Sequence, residues 1–237
     1  MLPESVSTHI WRYGFFEDDV CLFLLRSLAP GMVFVDVGAH FGFFTLLASE
    51  LVGETGRVVA LEPMPQTFAQ LTKNVLRNCR FRNVSTVNAA AYSTNTTLTF
   101  HDYGLVDAGF NSAFAARKQT AAGRLGTAVA VTAQTCDDLV TELGLPSIDL
   151  IKIDAESSEM HVLSGAESVI RRFGPRIIIE VGDFELPGVA RSAHVVEWLT
   201  QHGYLAHEHA NGDIVRHRVR DSYGYSNLLF TRKPDLS

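Results

Sequence analysis

Acidic side chains stand at or near the ends of three apolar runs that are rich in β-branched residues. Asp36 lies two residues before Gly38, Glu62 precedes a proline, and Asp154 comes directly after Ile148–Ile153. Such runs are typical of buried parallel strands, whose carboxyl ends form the edge where open α/β sheets bind ligands. Carboxylates at that edge can accept hydrogen bonds from hydroxyl groups and can remove protons from them. The pattern therefore predicts ligand binding and acid–base chemistry along one edge of a sheet.

A glycine-containing turn follows the first of these runs, within the segment 33–42 that reads VFVDVGAHFG. Gly38 allows the chain to turn where a Cβ would clash, and Gly42 allows the following helix to approach closely. The full GxGxxG pattern that favours a dinucleotide pyrophosphate is missing, because the middle position is Ala39. The glycine-rich element ending in Lys-Ser or Lys-Thr is missing as well, which disfavours hydrolysis of a nucleoside triphosphate.

The turn and the next acidic residue together predict an adenosine-type ligand. Glu62 lies twenty residues beyond Gly42, where a carboxylate can accept both hydrogen bonds from a ribose diol. Asp36 would repel a pyrophosphate but could hold the ammonium of a methionine moiety, which favours S-adenosylmethionine over NAD. Adenine would be read at the end of the third strand, by Asn88 and Ala90, unless these residues only pack in the core. The predicted cofactor-binding residues are Asp36, Gly38, Ala39, His40, Gly42, Glu62, Pro63, Asn88, Ala90 and Asp154.

A methyl donor of this kind reacts with an alcohol when a base takes the proton from the hydroxyl group. Asp154 is the leading candidate for that base because it ends the fourth strand, and Glu156 and Glu180 are the other predicted catalytic residues. In the alternative interpretation, Asp154 caps a helix and the acids after it stabilise the first helical turn. The spacing of Glu156, Glu159 and His161 would also allow a divalent metal. We do not favour that alternative, and no metal ligand is assigned.

Apolar runs alternate with amphipathic stretches along the chain, which predicts an α/β fold with helices on both faces of a mostly parallel sheet. A helix from about Glu17 to Leu28 belongs to an N-terminal helical segment, residues 1–30. Pro65 is expected to open a later helix, and Ser157 or Ser158 is expected to cap another one that Gly174 ends. The predicted strands are Met32–Val37, Arg57–Leu61, Val84–Ala89, Ile148–Ile153, Arg176–Val181 and Asn227–Arg232.

One segment, residues 93–138, interrupts the alternation of strands and helices. Thr96–His101 and Ala128–Thr132 are predicted to form a strand pair inserted into the fold. The excursion between them, Asp102–Gly126, is long enough to act as a lid over an acceptor site, with disorder as the alternative.

Composition limits the class of protein and its partners. The chain has 237 residues, 46% of them hydrophobic and 19% charged, which predicts one globular domain spanning residues 1–237. A net charge of −6 disfavours nucleic acid as a partner. Three widely spaced cysteines, no signal peptide and no long apolar run predict a soluble cytoplasmic protein without a membrane partner. The expected partner is a small-molecule or glycan acceptor, and a homodimer is left open.

Taken in order, these motifs resemble the FkbM family of methyltransferases over nearly the whole chain, from about Glu17 to Arg232. Two positions differ from the usual pattern of that family, namely His40, where Asn is common, and Ser157-Ser158, where Gly-Ala is common. The matching segments are Asp36–Gly42, Glu62-Pro63, Ile148–Glu159, Val162–Ala166 and Ile177–Glu180.

The resemblance implies a class I methyltransferase Rossmann-like fold, with a seven-stranded sheet and one antiparallel strand that ends at Thr231. It also implies O-methylation of a hydroxyl on a sugar, a polyketide or a related bacterial metabolite. Two alternatives stay open at this point. One is a methyltransferase that acts on an amine or a nucleic acid, and the other is a non-catalytic protein that binds S-adenosylmethionine.

Overall fold

Strands and helices alternate along the residues that the computed structural model describes, which are 5–105, 112–113, 126–183 and 188–232. The helices are α1 (Ser5–Tyr13), α2 (Asp18–Ser27), α3 (Phe43–Val52), α4 (Pro65–Asn78), α5 (Cys136–Glu142), α6 (Glu159–Ser164), α7 (Glu167–Phe173) and α8 (Ser192–Gln201). The strands are β1 (Val33–Val37), β2 (Arg57–Leu61), β3 (Val84–Val87), β4 (Ala90–Ala91), β5 (Thr96–Asp102), β6 (Thr127–Gln134), β7 (Leu150–Ile153), β8 (Arg176–Val181), β9 (Leu205–Ala210), β10 (Asp213–Arg216) and β11 (Ser226–Thr231).

The main sheet has the strand order β10-β9-β11-β8-β7-β1-β2-β3. Strands β3, β2, β1, β7 and β8 are parallel neighbours, and β11 is antiparallel to both β8 and β9. Chain order reverses between β1 and β7, and such a switch point opens a crevice at the carboxyl ends of the strands. The acidic residues predicted to bind ligand lie at this crevice.

The strand count corrects the expected seven-stranded sheet, because the described part of the sheet has eight strands. The additional strand is β10, which pairs with β9 through a tight turn at Asn211-Gly212. Both turn residues have positive φ, 54° and 87°, as the two-residue hairpin turn of this type requires. Asn-Gly is the strongest short sequence signal for such a turn, so the hairpin could have been predicted.

The predicted strands of the main sheet are all present, and their ends differ from the prediction by at most two residues. The third strand ends at Val87 rather than Ala89, and the fourth begins at Leu150 rather than Ile148. The helix predicted after the fourth strand is divided into α6 and α7 at Gly165, where a Cβ would lie 1.9 Å from the carbonyl oxygen of Tyr92. Gly174 ends α7 with a φ of 58°, as predicted.

The prediction that a serine side chain caps this helix is wrong. Ser158 occupies the cap position of α6, but its side chain makes no capping hydrogen bond. The carboxylate of Glu159 instead accepts hydrogen bonds from the amides of Ala155 and Ser157, at 3.3 and 3.1 Å. A first-turn acid therefore satisfies backbone donors that the serines leave open.

A second sheet with the order β4-β6-β5 forms within residues 93–138 and the two residues of β4 just before them. Strands β5 and β6 are antiparallel from the Thr96–Ala133 pair to the Asp102–Thr127 pair, which confirms the predicted strand pair. Most of the excursion between them, residues 106–111 and 114–125, lies outside the described residues. The described part of the excursion includes Ser112, which pairs with His101.

Alternation of side chains along the buried strands divides the core between the two faces of the main sheet. Phe34 packs with residues of α2 and α3 on one face. Its neighbour Val35 packs on the other face with residues of α5 to α8. None of the described helices has the length and apolar character that would be needed to cross a membrane.

Candidate active site

The turn after β1 is fixed against the ends of two neighbouring strands. The amides of Gly38 and Ala39 both donate to the carbonyl oxygen of Leu61 at the end of β2, at 3.1 and 2.9 Å. Gly38 has a φ of 73°, and a Cβ at this position would lie 1.9 Å from the carbonyl oxygen of Asp154. Only glycine fits this contact, so the conformation of the turn depends on it.

Glu62 lies at the end of β2 with both carboxylate oxygens engaged by backbone amides. Oε2 accepts from the amide of His40, and Oε1 accepts from the amide of Met64, each at 3.0 Å. Burial and, to a lesser extent, the charges of Asp154 and Asp36 raise the pKa of Glu62 to about 7, against the effect of the two amides. A carboxylate has about four acceptor positions, so capacity remains for two hydroxyl donors such as a ribose diol.

The segment after β3 supports the Glu62 end of β2. The side-chain amide of Asn88 donates to the carbonyl oxygens of Glu62 and Pro63, at 2.9 and 3.0 Å. Ala90 belongs to β4, where it pairs with Ala133 and is buried in an apolar cluster. Asn88 is thus positioned beside the acidic strand end, while Ala90 packs in the core, which was the alternative interpretation.

Asp36 is completely buried near the end of β1. Its Oδ2 accepts a hydrogen bond from the hydroxyl of Thr45 at 2.6 Å. Its Oδ1 has no hydrogen-bond partner among the described residues and lies 3.7 Å from Nζ of Lys152. Burial raises the pKa of Asp36, while the charge of Lys152 counteracts that effect. The carboxylate can accept one more hydrogen bond, which fits an ammonium group reached directly or through water.

Lys152 is a residue of this site that the sequence analysis did not identify. Its side chain is only 3% exposed, and Nζ lies 3.2 Å from Oδ2 of Asp154. Burial alone would lower the pKa of Lys152, but the carboxylates of Asp154 and Asp36 outweigh burial and raise it. A charged residue within the apolar strand β7 was the available signal, since lysine is almost never fully buried without a partner.

A second group of residues near Asp154 consists of Glu17, Tyr225 and Glu180. The hydroxyl of Tyr225 donates to Oε1 of Glu17 at 2.5 Å. Burial, followed by the negative charge of Asp154, raises the pKa of Glu17 to about 7. Desolvation of the hydroxyl group, followed by the charges of Glu180 and Glu17, raises the pKa of Tyr225, although the residue as a whole is largely exposed. The structure therefore brings the predicted residues Asp154 and Glu180 together with Glu17 and Tyr225, which were missed.

An open cavity of about 420 Å³ lies beside this group. Its described lining combines aromatic rings with acidic side chains, and consists of His9, Phe15, Phe16, Glu17, Asp18 and Tyr225. Glu180 itself is 6% exposed in β8, in register with Asn227.

The three residues with metal-ligand spacing do not converge on one point. Glu156 lies in a tight turn with a φ of 50°, and its carbonyl oxygen accepts a hydrogen bond from Ser112 at 2.8 Å. Glu159 binds the backbone amides described above. His161 stacks on Tyr92 with ring centres 4.3 Å apart. Within the described ranges, no three His, Cys, Asp or Glu side chains are grouped so that they could hold a metal ion.

Comparison with known proteins gives a family for this arrangement. The sequence model for the methyltransferase FkbM domain matches residues 36–206. The 31-O-demethyl-FK506 methyltransferase FkbM of Streptomyces tacrolimicus is 32% identical over 203 residues, which cover 75% of this chain and 74% of that relative. The hexuronic acid methyltransferase AglP of Haloferax volcanii is 27% identical over 178 residues, which cover 73% of this chain and 66% of that relative.

Solved structures show the same fold. The crystal structure of methyltransferase FkbM from Methylobacillus flagellatus has a TM-score of 0.56 at 16% identity; the match covers 95% of this chain but only 47% of that one. Fibrillarin of Aeropyrum pernix, solved with natively bound S-adenosylmethionine, has a TM-score of 0.51 at 13% identity, with 90% of this chain and 73% of that one covered. The chain therefore belongs to the FkbM family of S-adenosylmethionine-dependent methyltransferases.

Proposed function

We propose that this protein transfers a methyl group from S-adenosylmethionine to a hydroxyl group of a sugar, a polyketide or a related metabolite. One observation carries the proposal: the partly exposed carboxylate of Asp154 is held by Lys152, which also faces the buried acid Asp36, and its charge acts on Glu17 beside the open cavity. A group in that position can take a proton from an acceptor hydroxyl. The names of the Streptomyces and Haloferax relatives specify 31-O-demethyl-FK506 and a hexuronic acid, which supports an oxygen acceptor.

Two residues of the crevice fit the two ends of the cofactor, namely its ribose and its methionine moiety. Glu62 would accept hydrogen bonds from the ribose hydroxyls with the acceptor positions that the two amides leave open. Asp36 is completely buried, so it would hold the methionine ammonium through a bridging water that donates to Oδ1. Bound S-adenosylmethionine supplies an electrophilic methyl group on a positively charged sulfur.

Three predicted acids differ in their suitability as the general base. The carboxylate of Asp154 is 26% exposed and is held by Lys152, so it is both accessible and oriented. Glu180 is almost fully buried, and Glu156 lies in a turn whose backbone is tied to Ser112. Asp154 therefore remains our proposed base: the hydroxyl proton would move to its carboxylate as the oxygen–carbon bond forms and the carbon–sulfur bond of the methyl donor breaks, which leaves S-adenosylhomocysteine.

We also propose that the excursion 102–126 covers the acceptor site. Its described part supports this, because Ser112 is buried and its hydroxyl donates to the carbonyl oxygen of Glu156, beside the turn after β7. The excursion thus has at least one anchor next to the proposed reaction centre.

Mass spectrometry with isotopically labelled S-adenosylmethionine tests the proposed function. The purified protein is incubated with a panel of glycosides and hydroxylated polyketides, and the product is fragmented to locate the label. Label on an acceptor oxygen supports the proposal. Label on nitrogen, or cofactor binding without transfer to any member of a broad panel, would contradict O-methylation.

A further inference from the structure

The cavity beside the strand ends has a lining that suits a carbohydrate. Its volume of about 420 Å³ falls within the range of roughly 300–1,000 Å³ that is common for small-molecule sites. Phe15 and Tyr225 in the lining are 47% and 59% exposed, so their apolar ring surfaces are open to a ligand. The C–H faces of a sugar can pack on such rings, while its hydroxyl groups donate to nearby carboxylates.

The same lining is negatively charged. Glu17 and Asp18 are its charged residues, and neither Lys nor Arg is among the described residues that line it. The nearby cation, Lys152, is buried and hydrogen-bonded to Asp154. A carboxylate or phosphate on the ligand would therefore meet like charges, at a cost of about tenfold or more in affinity at contact distance.

We infer that this cavity binds a neutral, polyhydroxylated acceptor and that Glu17 determines specificity by excluding acceptors with an acidic group. The inference rests on the proposed function and deepens it by naming the acceptor class. The hydroxyl of Tyr225 donates to one carboxylate oxygen of Glu17. The remaining lone pairs of that carboxylate can accept a hydrogen bond from a hydroxyl group of the methyl acceptor. In this respect the chain would differ from its Haloferax relative, whose name specifies a hexuronic acid.

The charge of Glu17 makes this specificity depend on pH. Burial and the charge of Asp154 raise the pKa of Glu17 to about 7, while Tyr225 and Lys152 lower it and Asp19 raises it. Asp18 and His9 line the same cavity. Glu17 thus gains its charge between about pH 6 and about pH 8, and discrimination against acidic acceptors should increase over that interval.

Ligand-observed NMR titration with methyl β-glucopyranoside and methyl β-glucuronide tests the inference, with and without S-adenosylhomocysteine. The wild-type protein should bind the glucoside about tenfold more tightly than the glucuronide at about pH 8, and the ratio should fall at about pH 6. Glu17→Gln should reduce the ratio to about threefold or less, since Asp18 remains. The matched control Glu142→Gln, on the exposed side of α5, should leave the ratio unchanged. Phe15→Ala should weaken the binding of both glycosides to a similar extent.

Several outcomes would overturn the inference. They are equal or tighter binding of the glucuronide by the wild-type protein, an unchanged ratio in Glu17→Gln, and failure of both glycosides to bind. Binding of S-adenosylhomocysteine is followed in the same samples and reports on the proposed function separately. If the glycoside ratio is as expected but S-adenosylhomocysteine does not bind, the cavity inference stands and the proposed function fails.

Discussion

Nζ of Lys152 lies 3.2 Å from Oδ2 of Asp154, and both groups stand at the carboxyl end of the central strand β7. The same ammonium is 3.7 Å from the buried carboxylate of Asp36. One buried cation therefore compensates two acids, and removal of one partner from such a group typically costs about 3–5 kcal/mol. We expect Lys152→Met to lower the free energy of unfolding by that amount in urea titrations.

A surface pair provides the control for that measurement. Arg171 and Glu167 form an exposed ion pair one helical turn apart, and such pairs contribute about 0–1 kcal/mol. Arg171→Met should therefore have little effect on unfolding. Equal effects of the two substitutions would contradict the assigned role of Lys152.

Glu62→Ala should weaken the binding of S-adenosylhomocysteine by roughly 1.5–3 kcal/mol, the range for hydrogen bonds to a charged group. Isothermal calorimetry measures this loss directly. Because the variant also removes two acceptors of backbone amides, circular dichroism must show that it is folded. A folded variant with unchanged affinity would reject Glu62 as the ribose ligand.

Asp154→Asn should lower the single-turnover rate of methyl transfer by about 10²–10⁴-fold while the affinity for the cofactor changes little. The side-chain oxygen of Asn still accepts from Lys152, so the loss would reflect basicity rather than packing. Glu156→Gln is the matched comparison and should retain most of the rate. Normal rates in both variants would remove Asp154 and Glu156 from the mechanism and shift attention to Glu17.

Gly38→Ala should destabilise the protein strongly and abolish cofactor binding. A Cβ would overlap the carbonyl oxygen of Asp154, whereas at Gly144, which also has positive φ, nothing lies within 4 Å. Gly144→Ala therefore isolates the cost of the backbone conformation alone, about 1–2 kcal/mol. Thermal unfolding compares the two variants, and similar losses would contradict the steric explanation.

Glu17→Gln should make the protein more stable than the wild type at about pH 8. Burial and the charge of Asp154 raise the pKa of Glu17 from 4.5 to about 7, so the folded state holds its proton more tightly than the unfolded state. The resulting cost to stability is fully present above about pH 7 and disappears as pH falls toward 4.5. Melting temperatures at several pH values test this, and a stabilisation independent of pH would argue against titration of Glu17.

The sequence predicted those parts of the fold and site that depend on local patterns. The apolar runs before Gly38 and Glu62 identified β1, β2 and the crevice at their carboxyl ends, because each signal lies within one strand and its turn. The hairpin strand β10 was missed although Asn211-Gly212 marked its turn. Lys152 was also missed, because one charged residue does not disturb the apolar pattern of a strand as short as β7.

The acceptor side of the site could not be predicted from local patterns. Glu17 and Tyr225 are 208 residues apart, and neither belongs to a motif. Their contact arises because β11 is placed between β8 and β9, which brings the residue before β11 next to the start of α2. Sheet topology, rather than spacing along the chain, creates this pair.

The hydrogen bond between Glu17 and Tyr225 has a consequence for the nascent protein. Translation at about 5–20 residues per second separates the synthesis of these two residues by roughly 10–40 s, given the 208 positions between them. The residues that we propose to bind the cofactor, the last of which is Asp154, are all synthesised before Tyr225. The contact that we propose to set acceptor specificity is therefore completed only when the last described strand, β11, is reached.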